Sequence, residues 1–443
     1  MNDALNEAHL TILGDHEPRT IEQLTRCAAA EPGARGVLCA DGHVGYSQPI
    51  GGVVAYRDHI SPSGVGYDIG CGNTAVRLDL KADALRADLP RVMDEIVERI
   101  SFGVGRSNGQ PVDHDVIEAI SDADFAPQRK LVQKAAAQLG TVGAGNHYVD
   151  LFSDESGDVW IGVHFGSRGF GHATASGFLS LIDGGGFDER GKDGEMDSPP
   201  KLLAIDSDLG QAYISAMTLA GDYARAGRGV VVDEVRSILG AEEVDRVENH
   251  HNYAWREEHG GDAYWVVRKG ATPAFPGQRG FVGATMGEDA VILEGIEGDA
   301  AAAALHSTVH GAGRLMSRTK AAGKTRWVPS CTMRDCGFWM TGQEAAEIRD
   351  RGGRPECPHH PGRGLKKGPV LVSRGAIDYT AVRKELAAAG IELRGGAADE
   401  APLAYKRLDE MLGHHADSVR ILHRLTPMGV AMAGADVKDP YKD

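Results

Sequence analysis

Apolar residues recur every three to four positions over 82–100 (ADALRADLPRVMDEIVERI), and again over 127–139, 201–226, 229–239, 378–389 and 402–424. That spacing puts one apolar stripe on a helix. Shorter runs at 51–56, 74–80, 158–165, 263–268 and 289–294 alternate apolar and polar residues or stay apolar throughout, and read as strands. The two kinds of segment are interleaved without the regular rhythm of strand–helix–strand units. The pattern therefore predicts an α+β fold: a single large domain of mixed sheets and helices. The stretch 321–400 differs in character. It is rich in Gly, Pro, Arg and Lys, holds three of the six cysteines, and reads as an insertion or appended subdomain between 1–320 and 401–443.

Glycine-rich loops separate the periodic segments, and five of them carry side chains able to bind a metal. Residues 64–80 read GVGYDIGCGNTAVRLDL, placing Asp68 and Cys71 on a tight turn that feeds a strand. GAGNHY (143–148), GVHFGSRG (162–169), NHHNY (249–253) and HSTVHGAGR (306–314) each set a histidine beside glycine or asparagine. A single loop histidine is more often a hydrogen-bonded structural residue, and His43, His172, His250 and His306 read that way. The set Asp68, Cys71, His147, His164 and His251 is different, because carboxylate, thiolate and imidazole are the usual protein metal ligands. Five donors exceed what one tetrahedral ion needs, so the set points to two ions bridged by the Cys71 thiolate. Two-metal sites suit in-line displacement at phosphorus. In HGAGR, Gly311 and Gly313 leave backbone N–H groups free to cradle a phosphate, Arg314 and Arg318 add charged forks, and His310 stands beside them as a nucleophile.

Composition narrows the picture. The chain has 443 residues, 42% hydrophobic and 25% charged, with a formal net charge of −16, which disfavours a protein that coats long duplexes. A local basic patch remains compatible with gripping a nucleic acid end, and Lys320, Lys324, Arg326, Arg363, Lys366 and Lys367 flank the atypical stretch. No apolar run is long enough to span a bilayer, and the first residues lack a basic region followed by an apolar core. Six cysteines scattered over a long chain fit a reducing cytoplasm rather than a disulfide framework. Within the atypical stretch, Cys331, Cys336, Cys357, His359 and His360 read equally as a loose zinc motif or as loop cysteines without a metal.

The motifs DGHVG, GYDIGCG, GAGNHY, HFGSRGFG, HHNY, VRKGAT, TMG and HGAGRLMSRTKA, in this order, resemble those of the RtcB RNA-splicing ligases. The likeness runs from 41–53 to 402–412. It implies a fold peculiar to these ligases, with a central metal cleft and no P-loop. It also implies joining of an RNA 3′-phosphate or 2′,3′-cyclic phosphate end to a 5′-hydroxyl end, in RNA repair or tRNA splicing, with GTP as co-substrate and manganese as cofactor. By resemblance, Asp68, Cys71 and His147 hold one ion, and Cys71, His164 and His251 the other. His310 takes GMP. Asn146, His147, Tyr148, Val149, Asp150, His251, Asn252, Gly283, Ala284, Thr285, Met286, His310, Gly311, Ala312 and Gly313 surround the nucleotide. A stimulatory protein partner is left open, and no membrane is involved. Four departures touch base recognition: Gly283-Ala284-Thr285-Met286-Gly287 where the family has P-G-S-M-G, Ala290 for a serine, Asp150 for a glutamate, and Met432 or Ala433 where a lysine is expected, with Lys438 and Lys442 lying beyond. The alternatives are a two-metal phosphodiesterase or phosphatase that lost ligation, and a non-catalytic RNA-end or nucleotide binding protein.

Overall fold

A computed structural model describes residues 9–189, 196–333, 336–435 and 437. Lys438 and Lys442 lie outside the described residues. The fold is α+β. An eight-stranded sheet runs in the order Arg279–Val282, Ala290–Gly295, Val419–Gly434, Tyr148–Ser153, Asp158–Phe165, Gly72–Lys81, Glu243–His250, with Glu392–Gly396 pairing alongside Val419–Gly434. A five-stranded sheet runs His9–Ile12, Arg35–His43, Ile50–Tyr56, Asp262–Lys269, Asn252–His259. The strand Glu243–His250 in the first sheet continues into Asn252–His259 in the second, so His251 sits at the corner where the sheets meet.

One helix ties the two cores together. Asp208–Leu239 starts at the Ser207 cap, whose side chain accepts from the Gly210 amide, and ends at Gly240 in the left-handed conformation (φ 63°). Its first half buries Tyr213, Met217, Ala220 and Tyr223 against the five-stranded sheet and the helix Arg168–Ile182. Its second half buries Val231, Val232 and Val235 with the helix Leu89–Arg99 against the eight-stranded sheet. The break expected near residue 227 is absent, and residues 201–207 are not helical. Gly227 lies where a Cβ would come 3.3 Å from Phe165, so small residues there bring helix and sheet close without interrupting the turn. Among the described residues no helix is long and apolar enough to cross a membrane.

Other expectations change too. The segment 82–100 forms two helices, Ala82–Leu85 and Leu89–Arg99, the second with Pro90 in its first turn. The segment 127–139 likewise splits into Ala126–Arg129 and Val132–Gln138. The expected helix 402–424 is largely replaced. Only Leu408–Gly413 is α-helical, and Val419–Gly434 is a strand pairing first with Ala290–Gly295 and then with Tyr148–Ser153. Pairing with two successive partner strands outweighs the weak local periodicity there.

The stretch 321–400 divides. Gly323–Ser330 pairs with Lys366–Arg374, and between them lie the helix Gly342–Asp350 and the small ladder Glu356–Cys357 with His360–Gly364. The helix Tyr379–Ala388 and strand Glu392–Gly396 return to the eight-stranded sheet.

Candidate active site

Adjacent strands of the eight-stranded sheet present their donors side by side. In sheet order, His147 precedes Tyr148–Ser153, His164 lies in Asp158–Phe165, Cys71 precedes Gly72–Lys81, and His251 follows Glu243–His250. Register holds the row together: Tyr148 is opposite His164, His164 opposite Asn73, and Gly72 opposite His250. The Cys71 sulfur is 3.4 Å from His164 Nε2 and 3.6 Å from His147 Nε2, and the three donor atoms lie within 4.8 Å of one another. Asp68 joins through His147, whose Nε2 is 3.1 Å from Asp68 Oδ2. His251 joins through its ring, 5.1 Å from that of His164. A thiolate, three imidazoles and a carboxylate suit a divalent transition metal, and the buried His251 Nδ1 has no hydrogen-bond partner.

The glycines have a mechanical reason. A Cβ on Gly143 would sit 1.9 Å from His147 Nδ1, so only glycine lets that loop pass behind the imidazole. Gly313 has φ 71°, and a Cβ there would sit 2.4 Å from the Asp41 carbonyl oxygen. Beneath the row, the fully buried Arg228 donates to the carbonyls of Gly70 and Phe165 and to Thr74 Oγ1. It thereby fixes the Cys71 turn against the end of the His164 strand. Burial pulls the Arg228 pKa down to about 10. Burial opposes ionisation of Asp68, but the hydrogen bond and charge of His147, with Cys71 and Arg168, together outweigh it and hold the carboxyl at about 2. Burial, and then the Asp68 charge, push the Cys71 thiol well above its ordinary range, a balance that a bound divalent cation reverses.

His310 follows the short strand Ser307–Val309, and its ring centroid is 5.0 Å from that of His251. Its Nδ1 lies 2.6 Å from Asp41 Oδ2, and the same oxygen accepts from the His310 amide at 3.0 Å. Asp41 is fully buried. Burial would raise its pKa, yet the charge and hydrogen bonds of His310 hold it below the ordinary value. When the ring is neutral and Nδ1–H donates to Asp41, the Nε2 lone pair is left for nucleophilic attack. Asp41 is a residue that sequence reasoning passed over, although it opens the quoted motif DGHVG.

The metal donors and His310 line one cavity of about 930 Å³. All five expected metal donors line it, as do Asn146, Tyr148, Asp150, Asn252, Gly283, Ala284, Thr285, Met286, His310, Gly311, Ala312 and Gly313. Val149 does not. Alternation along its strand turns it away from Tyr148 and Asp150 and into the core with Val163 and Ile161. Ala290 is also outside the cavity, packed between Phe152, Trp160 and Phe281, so its difference from the family pattern falls on the core. Met432 does line the cavity, opposite Tyr148 on the neighbouring strand and near Met286 and Val430. Burial holds the Asp150 carboxyl well above its ordinary pKa.

Arg314 and Arg318 line the cavity, but Arg318 pairs with Glu400 at 3.6 Å and Arg314 is committed to protein partners. It donates to Tyr405 Oη at 2.6 Å, pairs with Glu400, and lies over the Tyr405 ring. It shapes the wall rather than offering an open fork. Two further cations reach the cavity and lie in motifs quoted for the resemblance. Arg168 has φ 53° and donates to Thr141 and to the Gly103 carbonyl. Lys269 donates to the Tyr46 carbonyl at 2.6 Å, and burial lowers its pKa to about 8. His250 and His306 have structural roles: His250 lies 2.9 Å from the Gly70 carbonyl, and His306 stacks on Phe275.

The family model described as tRNA-splicing ligase RtcB matches residues 23–331. The tRNA-splicing ligase RtcB of Thermococcus kodakarensis is 30% identical across 94% of this chain and 91% of its own length. The RNA-splicing ligase RtcB of Escherichia coli is 32% identical across 63% of this chain and 74% of its own. That of Mycobacterium bovis is 28% identical across 88% and 94%. With the motifs lining one cavity and the match spanning most of the sequence, the chain belongs to the RtcB family of RNA-splicing ligases.

Proposed function

We propose that this protein joins RNA ends by a GTP-dependent reaction through a guanylylated histidine, in RNA repair or tRNA splicing in the cytoplasm. The observation that carries the reading is the His310–Asp41 pair at 2.6 Å beside the row of metal donors. His310 Nε2 attacks the α-phosphorus of GTP. An N–P bond forms, the α–β phosphoanhydride P–O bond breaks, and pyrophosphate leaves. Asp41 keeps the Nδ1 proton and steadies the positive charge that builds on the ring. The GMP then passes to an RNA 3′-phosphate, itself released by hydrolysis where the end is a 2′,3′-cyclic phosphate. The RNA 5′-hydroxyl attacks the activated phosphorus and expels GMP.

Asp68, Cys71 and His147 would hold one manganese ion, and Cys71, His164 and His251 the second. When bound, the two ions supply charge neutralisation at phosphorus and a lowered hydroxyl pKa. The Gly311–Gly313 loop would carry the phosphates, and Tyr148, Asp150, Thr285, Met286 and Met432 would receive the base. Residues 323–374 form an inserted subdomain in this reading. Its exposed Lys324, Arg326, Arg363, Lys366 and Lys367, with Lys320 just before it, supply the local cationic face for RNA that the acidic chain otherwise lacks. A stimulatory protein partner would act on turnover rather than on the chemistry.

The test is joining itself. An RNA ending in a 3′-phosphate, an RNA starting with a 5′-hydroxyl, manganese and GTP should yield one longer RNA. Dephosphorylation without joining would favour the phosphodiesterase or phosphatase alternative. Binding without any change in the RNA would favour a non-catalytic protein.

A further inference from the structure

We infer that Cys331, Cys336, Cys357 and His360 form a structural zinc site that staples residues 323–374, independent of the catalytic metals. Cys331 follows the strand Gly323–Ser330, and Cys357 and His360 face each other across the ladder Glu356–Cys357/His360–Gly364. One donor atom from each of the four lies within 4.8 Å of the rest. The contacts are 3.6 Å from the Cys331 sulfur to His360 Nδ1, 3.6 Å from the Cys357 sulfur to His360 Nδ1, and 3.5 Å between the sulfurs of Cys336 and Cys357. Four ligands around a tetrahedral zinc, with Zn–S of about 2.3 Å and Zn–N of about 2.0 Å, are spaced about 3.5–3.8 Å apart. The observed separations have that size. They are too long for a disulfide, whose sulfurs sit about 2.05 Å apart.

A second observation is the poverty of apolar packing. Among the described residues of 323–374, the buried hydrophobic side chains are Val328, Ala345 and Cys357, while Trp327 is 61% exposed. A module with so little core commonly needs a metal to fold. Four protein ligands leave no open position, so the site is structural rather than catalytic. His359 is excluded from the set. It is exposed, rests against Phe338, and touches the Cys336 sulfur at 3.7 Å without joining the four donors that lie mutually within 4.8 Å. Three of the four ligands lie beyond residue 331, where the family match ends.

The experiment uses the full chain in a Cys71→Ala background, where the catalytic cysteine contributes no thiolate. Protein grown with zinc and dialysed against a mild chelator under reducing conditions should retain one zinc per chain by mass spectrometry of metals. The further changes Cys331→Ser or Cys357→Ser should remove it, and His359→Ala should not. A variant that fails to fold also loses zinc, so a second readout keeps all four ligands. The Cys71→Ala protein loaded with cobalt should show the intense visible bands of a tetrahedral ion and a thiolate-to-cobalt charge-transfer band. Zinc content unaffected by Cys357→Ser, a weak octahedral cobalt spectrum, or a Cys336–Cys357 disulfide in reduced protein would each overturn the site. None of these readouts depends on GTP or on RNA joining.

Discussion

In the proposed reaction His310 needs its ring held and its Nε2 lone pair free, and Asp41, 2.6 Å from Nδ1, orients the ring and selects the Nδ1–H tautomer. His310→Ala should abolish the GMP adduct and all sealing started with GTP, while leaving manganese content intact, because His310 is not among the five donors. It should still seal an RNA already carrying GMP at its 3′ end, since that step needs only the metals and the 5′-hydroxyl. Failure on the pre-activated RNA, with metals present, would give His310 a second role. Asp41→Asn keeps the shape but removes the charge that steadies the ring and lets an amide N–H donor face Nδ1 in place of an acceptor, and guanylylation should fall on the order of a hundredfold or more in single-turnover labelling. An unchanged rate would remove Asp41 from the mechanism. Asp150 yields a stability prediction. Burial holds its folded pKa above the ordinary value, so the folded protein keeps a proton that the unfolded chain releases above about pH 4. Raising pH through that range therefore drains stability. Asp150→Asn cannot titrate, so its Tm advantage over wild type should widen from pH 4 to 7 in nucleotide-free protein. A constant offset would show that Asp150 ionises freely.

At the scale of elements, the site depends on strand register, and Cys71 and Arg228 are its anchors. Cys71→Ala removes the proposed bridge to both ions, so metal content and guanylylation should both collapse, with little rescue by excess manganese. A normal adduct in that variant would refute the bridge. Arg228→Met leaves the Gly70 and Phe165 carbonyls without their buried donor and should cost about 2–5 kcal/mol in urea unfolding. A loss below about 0.5 kcal/mol would mean that water replaces the guanidinium. Much of this site was legible in the sequence, because Asp68, Cys71, His147 and His164 each lie within two residues of a glycine and His251 lies beside an asparagine. Asp41 was not, because its role exists only once the end of the strand Arg35–His43 meets the loop at 310–313, far away in sequence. Val149 was misplaced because a motif reads as a continuous word while a strand alternates its faces. The strand Val419–Gly434 was hidden because its partners lie far upstream. The helix Arg168–Ile182 was hidden by its own Gly169, Gly171 and Gly177, which weaken the helical signal.

At the scale of the molecule, two sheets joined through His251 make the cavity, and one end of it is mostly apolar. Met286, Val430 and Met432 lie near Tyr148 and Asp150 there, with no lysine from the described C-terminal strand. Such a pocket rejects a wrong base weakly. The preference for GTP over ATP should therefore be on the order of 10² or less, rather than the 10⁴–10⁵ of a site built to hydrogen-bond its substrate. Side-by-side labelling with the two nucleotides measures it, and full exclusion of ATP would place recognition elsewhere. The most direct test of the central claim uses GTP labelled at the α-phosphate, with manganese and the full-length protein. The account predicts one label per chain that survives denaturation, is released by acid, withstands base, and is missing from His310→Ala. No label on the wild-type protein, or an equal label on His310→Ala, would contradict it.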